Sequence, residues 1–195
     1  MALKKIIQPT MKRIFSPLFL FILFALTLVS TALRAQDKPS ESKPGASIKW
    51  LSFEEAVALN RKKPKMIFID IYTDWCGWCK KMDKETFTDP EVVKYINKKF
   101  YAVKLNAEQK ESIHFKDQNF VNPNPGKSKS THNLASALLK NERLYPSYVI
   151  LDKNSDWTYK LKGYQKPETL LPLLHFYGDG DYLKMSWAEY LSKVK

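Results

Sequence analysis

Cysteine is scarce in this 195-residue chain, which contains only Cys76 and Cys79. Small proteins that depend on disulfide scaffolds carry several bridges, so that class is excluded. The chain does not need such bridges, because 44% of its residues are hydrophobic and can form an apolar core. The two cysteines are therefore free for chemistry.

Histidine is almost as scarce, and His114, His132 and His175 lie far from the cysteine pair at no ligand spacing. A structural zinc site needs four ligands, usually two cysteine pairs or one pair with nearby histidines. We therefore predict no metal ligands and expect the histidines at the surface or at the edge of the core. A bridge between Cys76 and Cys79 would close a very short loop, so a purely structural disulfide is also disfavoured.

Acidic residues are absent from the first 35 positions. This segment has a basic start, an apolar run and small residues at its end, a pattern typical of secretory signals. We predict a signal peptide over 1–35, cleaved after Ala35 or Ala32, with Met11 as an alternative start to Met1. No cysteine stands at the cleavage site, which argues against a lipid anchor.

An uncleaved membrane anchor is the alternative interpretation of this leader. The stretch from Ile14 to Ala32 approaches the ~20 apolar residues that a helix needs to cross a bilayer. With a cleaved leader, we expect the protein in the periplasm or cell envelope, meeting the membrane only transiently through the signal peptide.

The remaining chain has a moderate excess of positive charge. The leader holds five of the 32 basic residues and none of the 20 acidic ones, so residues 36–195 have 27 basic and 20 acidic residues, a net charge of +7. The basic residues are scattered, as expected for a solvated surface, and we predict no nucleic-acid partner.

After the leader, residues 36–47 are polar and rich in Pro, Ser and Lys, which predicts a flexible linker. Residues 48–195 show helix and strand patterns in the order β-α-β-α-β-β-α, after an N-terminal helix that begins with a Ser52–Glu55 capping box. This order, with four strands, predicts an α/β sandwich. There is no internal repeat.

Two segments are additional to this order of helices and strands. Residues 108–129 form a long polar insertion, of a length typical of functional or disordered loops. Residues 178–195 are predicted to form a turn and a short amphipathic helix, a C-terminal extension.

Redox chemistry explains the sequence around the cysteines best. Cys76 follows a predicted strand and turn and stands at the first turn of a helix, where free backbone N–H groups and the helix dipole favour the thiolate. Cys79 lies one turn further and can reach back as the resolving thiol. Lys80 and Lys81 add positive charge nearby.

The stretch MIFIDIYTDWCGWCK resembles the active-site segment of the thioredoxin-like superfamily. The longer DWCGWCKKMDKETFTDPEVVKYINKKF most resembles secreted thioredoxin-like domains akin to the C-terminal periplasmic domain of DsbD-type thiol:disulfide interchange proteins. The resemblance covers about 48–177, with the cysteines, YPSYVILD and GYQ as anchors. It implies a three-layer α/β/α sandwich with a central mixed sheet of about four strands.

The same resemblance implies roles for single residues. Pro146 matches the proline with a cis peptide bond that faces the cysteines, so that the backbone of Tyr145 can pair with a client chain. Trp75 matches the aromatic residue beside the nucleophile, with core packing as the alternative. Gly77 and Trp78, between the cysteines, complete the predicted substrate-binding set, and neither is the proline found in plain thioredoxin.

Asp70 stands in an otherwise apolar strand, on one face with Phe68 and Tyr72, so we expect it to be buried with a raised pKa. Such a group could take the proton from Cys79 when that thiol attacks. Lys104 matches the lysine that partners this aspartate in the family. A solvated aspartate at the end of a strand is the alternative.

These observations predict a secreted thiol:disulfide oxidoreductase that reduces client proteins through its dithiol, without a cofactor. The expected partners are client proteins with disulfides or thiols, and a membrane electron donor. Three alternatives stay open: a disulfide oxidase or isomerase, a copper or zinc metallochaperone, and a non-catalytic binding module. Because Gly77-Trp78 and Tyr145 occupy positions that tune the reduction potential, the sequence does not fix the direction of electron flow.

Overall fold

A mixed β-sheet forms the centre of the computed structural model, which describes residues 45–194. The predicted signal peptide and linker residues 36–44 lie outside the described residues. The strands are β1 (Trp50–Leu51), β2 (Met66–Tyr72), β3 (Phe100–Asn106), β4 (Ile113–Phe115), β5 (Gln118–Phe120), β6 (Ser147–Leu151) and β7 (Trp157–Lys162). The helices are α1 (Phe53–Lys62), α2 (Gly77–Lys84), α3 (Pro90–Lys99), α4 (Asn133–Leu138), α5 (Pro167–Gly178) and α6 (Trp187–Lys193), with 3₁₀ turns at Thr86–Thr88 and Asp181–Leu183.

The main sheet has the order β1-β3-β2-β6-β7. Strands β1, β3 and β2 run parallel, whereas β6 and β7 are antiparallel to their neighbours. The predicted mixed sheet is confirmed, but it has five strands rather than about four. The additional strand, β1, was missed because two residues carry no readable periodicity; it is defined only by pairing Trp50 with Ala102 and Leu51 with Val103.

Helices cover both faces of this sheet, as the three-layer prediction requires. On one face α1 and α4 pack on Ile67, Ile69 and Ile71 of β2, which are fully buried. On the other face α2, α3 and α5 pack around Phe68, the alternate residue of the same strand. Asp70 lies on the Phe68 face by the same alternation.

The helix ends agree with the sequence signals. Ser52 and Glu55 form the reciprocal capping box of α1. Asp89 caps α3 by accepting hydrogen bonds from two backbone N–H groups, with Pro90 in the first helical position. These contacts satisfy donors that would otherwise be orphaned at the helix N-termini.

The C-terminal extension is packed onto the domain. Tyr190 of α6 is buried, stacks on Trp187 and contacts the ring of Phe176 in α5. None of the helices within residues 45–194 is both long and apolar enough to cross a membrane.

The insertion 108–129 has secondary structure of its own. Strands β4 and β5 form a hairpin whose two turn residues, Lys116 and Asp117, have φ angles of 48° and 58°. Asn122 then closes the segment, since its buried side-chain amide donates to the backbone carbonyls of Glu108, Gln109 and Ser130. One side chain therefore joins the two ends of the insertion.

The expectation that all histidines lie at the surface or the core edge is wrong for His132. This residue is fully buried after the insertion, and its Nδ1 accepts a hydrogen bond from the Leu134 N–H as the N-cap of α4. Burial lowers the pKa of His132, which favours the neutral ring that such a cap requires.

Candidate active site

A disulfide bond joins Cys76 and Cys79 at the N-terminus of α2. Cys76 is the N-cap of this helix, and its sulfur accepts a hydrogen bond from the Cys79 N–H at 3.1 Å. A turn after β2 places it there, with the Cys76 N–H donating to the carbonyl of Thr73. In the reduced protein the same N–H group and the helix dipole would stabilise a thiolate at Cys76.

Both cysteines are largely buried in this disulfide-bonded form: Cys76 is 5% exposed and Cys79 is 2% exposed. The bond holds the Cys76 sulfur against that of the buried Cys79. The flanking indoles are instead the exposed groups: Trp75 is 55% and Trp78 57% exposed, which rules out core packing as the role of Trp75.

The predicted cis peptide bond is present between Tyr145 and Pro146. The ring of Tyr145 meets that of Trp75 edge to face, with centroids 5.9 Å apart, so this segment adjoins the residue before Cys76. The carbonyl of Pro146 accepts a hydrogen bond from Gly163, whose φ of 77° suits glycine. The cysteine and proline segments thus border one surface.

Asp70 is buried, with 1% of its side chain exposed, and it contacts Lys104. The parallel register of β2 and β3 sets the two residues side by side, and Asp70 Oδ2 lies 2.7 Å from Lys104 Nζ. Asp70 Oδ1 is buried and makes no hydrogen bond to any described residue. Desolvation raises the pKa of Asp70 to about 6, although Lys104 partly offsets it.

Asp83 is a second partner of Lys104 that sequence reasoning missed. It projects from α2, is partly exposed and forms a salt bridge with the same ammonium group. Burial alone would lower the pKa of Lys104, but Asp70 and Asp83 outweigh it and hold that pKa above its usual value. The spacing Cys79–Asp83, one helical turn, was the available signal, because i and i+4 share a helix face.

Lys104 is also surrounded by aromatic rings. Its ammonium group lies 5.0 to 5.4 Å from the ring centroids of Trp50, Tyr72 and Phe87. Such contacts stabilise a cation beside a ring face. These rings therefore help to hold the ammonium group of Lys104 beside the carboxylate of Asp70.

The two residues between the cysteines face different surroundings. Trp78 packs on Tyr164, with centroids 5.6 Å apart, and Lys81 lies over both rings. Gly77 is open, since a Cβ built there would meet no atom within 4 Å. Within residues 45–194, no three His, Cys, Asp or Glu side chains are grouped so that they could hold a metal ion.

Individual known proteins are similar to parts of this chain, in sequence or in structure. The curated thiol:disulfide interchange protein DsbD of Escherichia coli K12 is 49% identical over 39 residues, which is 20% of this chain and 7% of that protein's length. A thioredoxin-fold protein from Helicobacter pylori is similar in structure, with a TM-score of 0.49 and 23% identity, over 67% of this chain and 79% of that one. The C-terminal domain of Neisseria meningitidis DsbD has a TM-score of 0.39 and 22% identity, over 62% and 87%.

A family model covers much more of the sequence. The model of the thioredoxin-like domain matches residues 53–178, from the start of α1 to the end of α5. This range contains the disulfide, the cis-proline and the Asp70–Lys104 pair. The chain therefore belongs to the thioredoxin-like domain family.

Proposed function

We propose that the protein is a secreted thiol:disulfide oxidoreductase that reduces disulfides of client proteins. The observation that carries the proposal is the Cys76–Cys79 disulfide at a helix N-terminus, within a thioredoxin-like domain. A cysteine in this position forms a thiolate readily, and its partner one turn away closes the disulfide again.

The reaction begins with the reduced dithiol. The Cys76 thiolate attacks one sulfur of a client disulfide, and the other client sulfur leaves as a thiolate. Cys79 then loses its proton and attacks the Cys76 sulfur, which releases the second client sulfur. Two electrons pass to the client, and the protein keeps the Cys76–Cys79 disulfide.

Asp70 is proposed to accept the proton that Cys79 loses. Its pKa of about 6, raised by burial, makes it ionised at neutral pH but more basic than an ordinary aspartate. Its Oδ1 has no hydrogen-bond partner among the described residues, so one oxygen is free for the proton while Oδ2 stays with Lys104.

The oxidised protein needs two electrons before it can act again. In the periplasm or cell envelope, where oxidising conditions prevail, a membrane thiol reductase is the proposed donor. The partial match to proteins named thiol:disulfide interchange protein supports exchange between protein thiols as the chemistry.

The reduction potential of the Cys76–Cys79 couple tests the direction of electron flow. We expect a value of about −230 to −270 mV, in the range of thioredoxins and glutaredoxins, because a reductase must lose its electrons to clients. Equilibration in dithiothreitol buffers, with acid quenching and thiol alkylation, measures it. A value above about −150 mV would assign the protein to the oxidases instead.

Secretion is tested at the N-terminus of the native protein. We expect mass spectrometry to find a mature chain that starts at Gln36 or close to it, because the leader pattern places small residues at Ala32 and Ala35. An intact N-terminus in the membrane fraction would instead establish a membrane anchor.

A further inference from the structure

A cavity of about 220 Å³ lies beside the disulfide segment. It is lined by Trp75, Glu108, Lys129, Thr131, Arg143 and Tyr145. This volume is below that of pockets for drug-sized ligands, so the cavity suits a single side chain.

The position of this pocket relates it to the dithiol. Trp75 directly precedes Cys76, and Tyr145 directly precedes the cis-proline. Their rings meet edge to face and form an aromatic wall. A client segment whose sulfur reaches Cys76 therefore passes close to the pocket.

The insertion contributes two further residues of the lining. Glu108 stands at its start and Lys129 at its end, and the buried Asn122 holds both ends through the carbonyls of Glu108 and Ser130. The pocket is thus built partly by a segment beyond the minimal fold, which points to a role in choosing clients rather than in the redox step.

The charges in the pocket favour an acidic occupant. Lys129 and Arg143 are both exposed at the pocket. Neither forms a salt bridge with any residue in the described range. Glu108 is the one carboxylate in the lining, and its Oε1 accepts a hydrogen bond from Trp75 Nε1 at 3.1 Å. The lining of the pocket therefore has two cations without a salt bridge and one carboxylate that already accepts a hydrogen bond, which gives a net charge of +1.

From this arrangement we infer that the pocket binds an acidic side chain of the client, an Asp or Glu near the cysteine that is attacked. The carboxylate pairs with Arg143, whose guanidinium can bind both oxygens, and with Lys129. The inference rests on the proposed function, and it names the clients: proteins with an acidic residue beside an exposed disulfide.

Matched disulfide peptides test the pocket. Three peptides, each with one internal disulfide, differ only in having Glu, Gln or Lys two residues from the first cysteine. Stopped-flow tryptophan fluorescence gives the rate constant for reduction of each peptide by the reduced protein. Each rate constant is divided by the one for reduction of the same peptide by dithiothreitol, which removes differences between the peptides themselves. We expect the Glu peptide to react roughly fivefold faster than the Gln peptide.

Variants then assign this preference to the pocket. In the double variant Lys129→Gln/Arg143→Gln the Glu-to-Gln rate ratio should fall to about one, while Arg143→Lys should keep part of it. Lys98→Gln is the matched control, because Lys98 is exposed and precedes β3, at the opposite end of the parallel strands. It should keep the full ratio.

The outcomes separate the two claims. Equal rates for the Glu and Gln peptides, a preference for the Lys peptide, or a ratio that survives in the double variant would each overturn the acidic pocket while leaving the reductase in place. Reduction of none of the peptides would overturn the proposed function together with the pocket.

Discussion

A Cys79→Ser variant, expressed with its leader, should accumulate mixed disulfides with client proteins. Without the second sulfur, the reaction stops after Cys76 has attacked, and the client stays attached. Non-reducing gels should show new high-mass bands that disappear with dithiothreitol. Mass spectrometry of these bands would identify the clients and show Cys76 as the linked residue.

Cys76→Ser is the matched control, because it removes one sulfur from the same pair but leaves the one inside the helix. We expect few or no trapped clients, since Cys79 lies one turn beyond the N-cap position that favours the thiolate. Equal trapping by the two variants would contradict the assigned order of attack. No trapping by either, with tight copper or zinc binding by the wild type, would favour the metallochaperone.

An Asp70→Asn variant should slow disulfide exchange roughly 10- to 100-fold at pH 7, because the amide keeps the shape of the carboxylate but cannot accept the proton. The wild-type rate should fall as the pH drops through about 6, where Asp70 becomes protonated. The variant should lose this step from its pH profile. An unchanged rate between about pH 6 and 8 would mean that Asp70 takes no part in the proton transfer.

The same variant should be more stable than the wild type at neutral pH. Burial raises the pKa of Asp70 from 3.8 to about 6, so the folded state holds a proton that the unfolded state releases between these values. The free energy of unfolding therefore falls as the pH rises from about 4 to 6, by up to about 3 kcal/mol. Because the introduced amide places a donor where the carboxylate accepted from Lys104, we expect a smaller gain of about 1–2 kcal/mol from Asp70→Asn in urea unfolding at pH 7, and little below pH 4.

Asp83→Asn is the control for both measurements. It removes a carboxylate from the same lysine, but Asp83 is 43% exposed and is not the buried group. We expect a stability within about 0.5 kcal/mol of the wild type and a retained pH profile. A loss of the profile in this variant would contradict the assignment of the pH step to Asp70.

The sequence predicted those parts of the fold that have a periodic or capping signal. The alternation of β2 placed Asp70 on the Phe68 face, and burial followed from that placement. The paired cysteines could be assigned to a helix start because a strand and a turn precede them. The cis bond before Pro146 came only from the resemblance, since most X–Pro bonds are trans.

The missed features either lack a local turn signal or depend on contacts distant in sequence. The β4–β5 hairpin turns at Lys116-Asp117, without the Asn-Gly or Asp-Gly pair that marks such turns, so its residues resembled a loop. The pocket beside the disulfide joins Trp75, Glu108 and Arg143 from three separate stretches. No local pattern could bring these residues together.

The pairing of Asp70 with Lys104 also bears on how the sheet assembles. A shift of β3 by one residue along β2 would carry Lys104 to the opposite face, among apolar side chains such as Ile69 and Ile71 of β2, and would leave Asp70 buried without a cation. An uncompensated buried charge costs about 3–5 kcal/mol. The group proposed to move a proton therefore also favours the observed strand register, in which the proton acceptor and its lysine lie side by side.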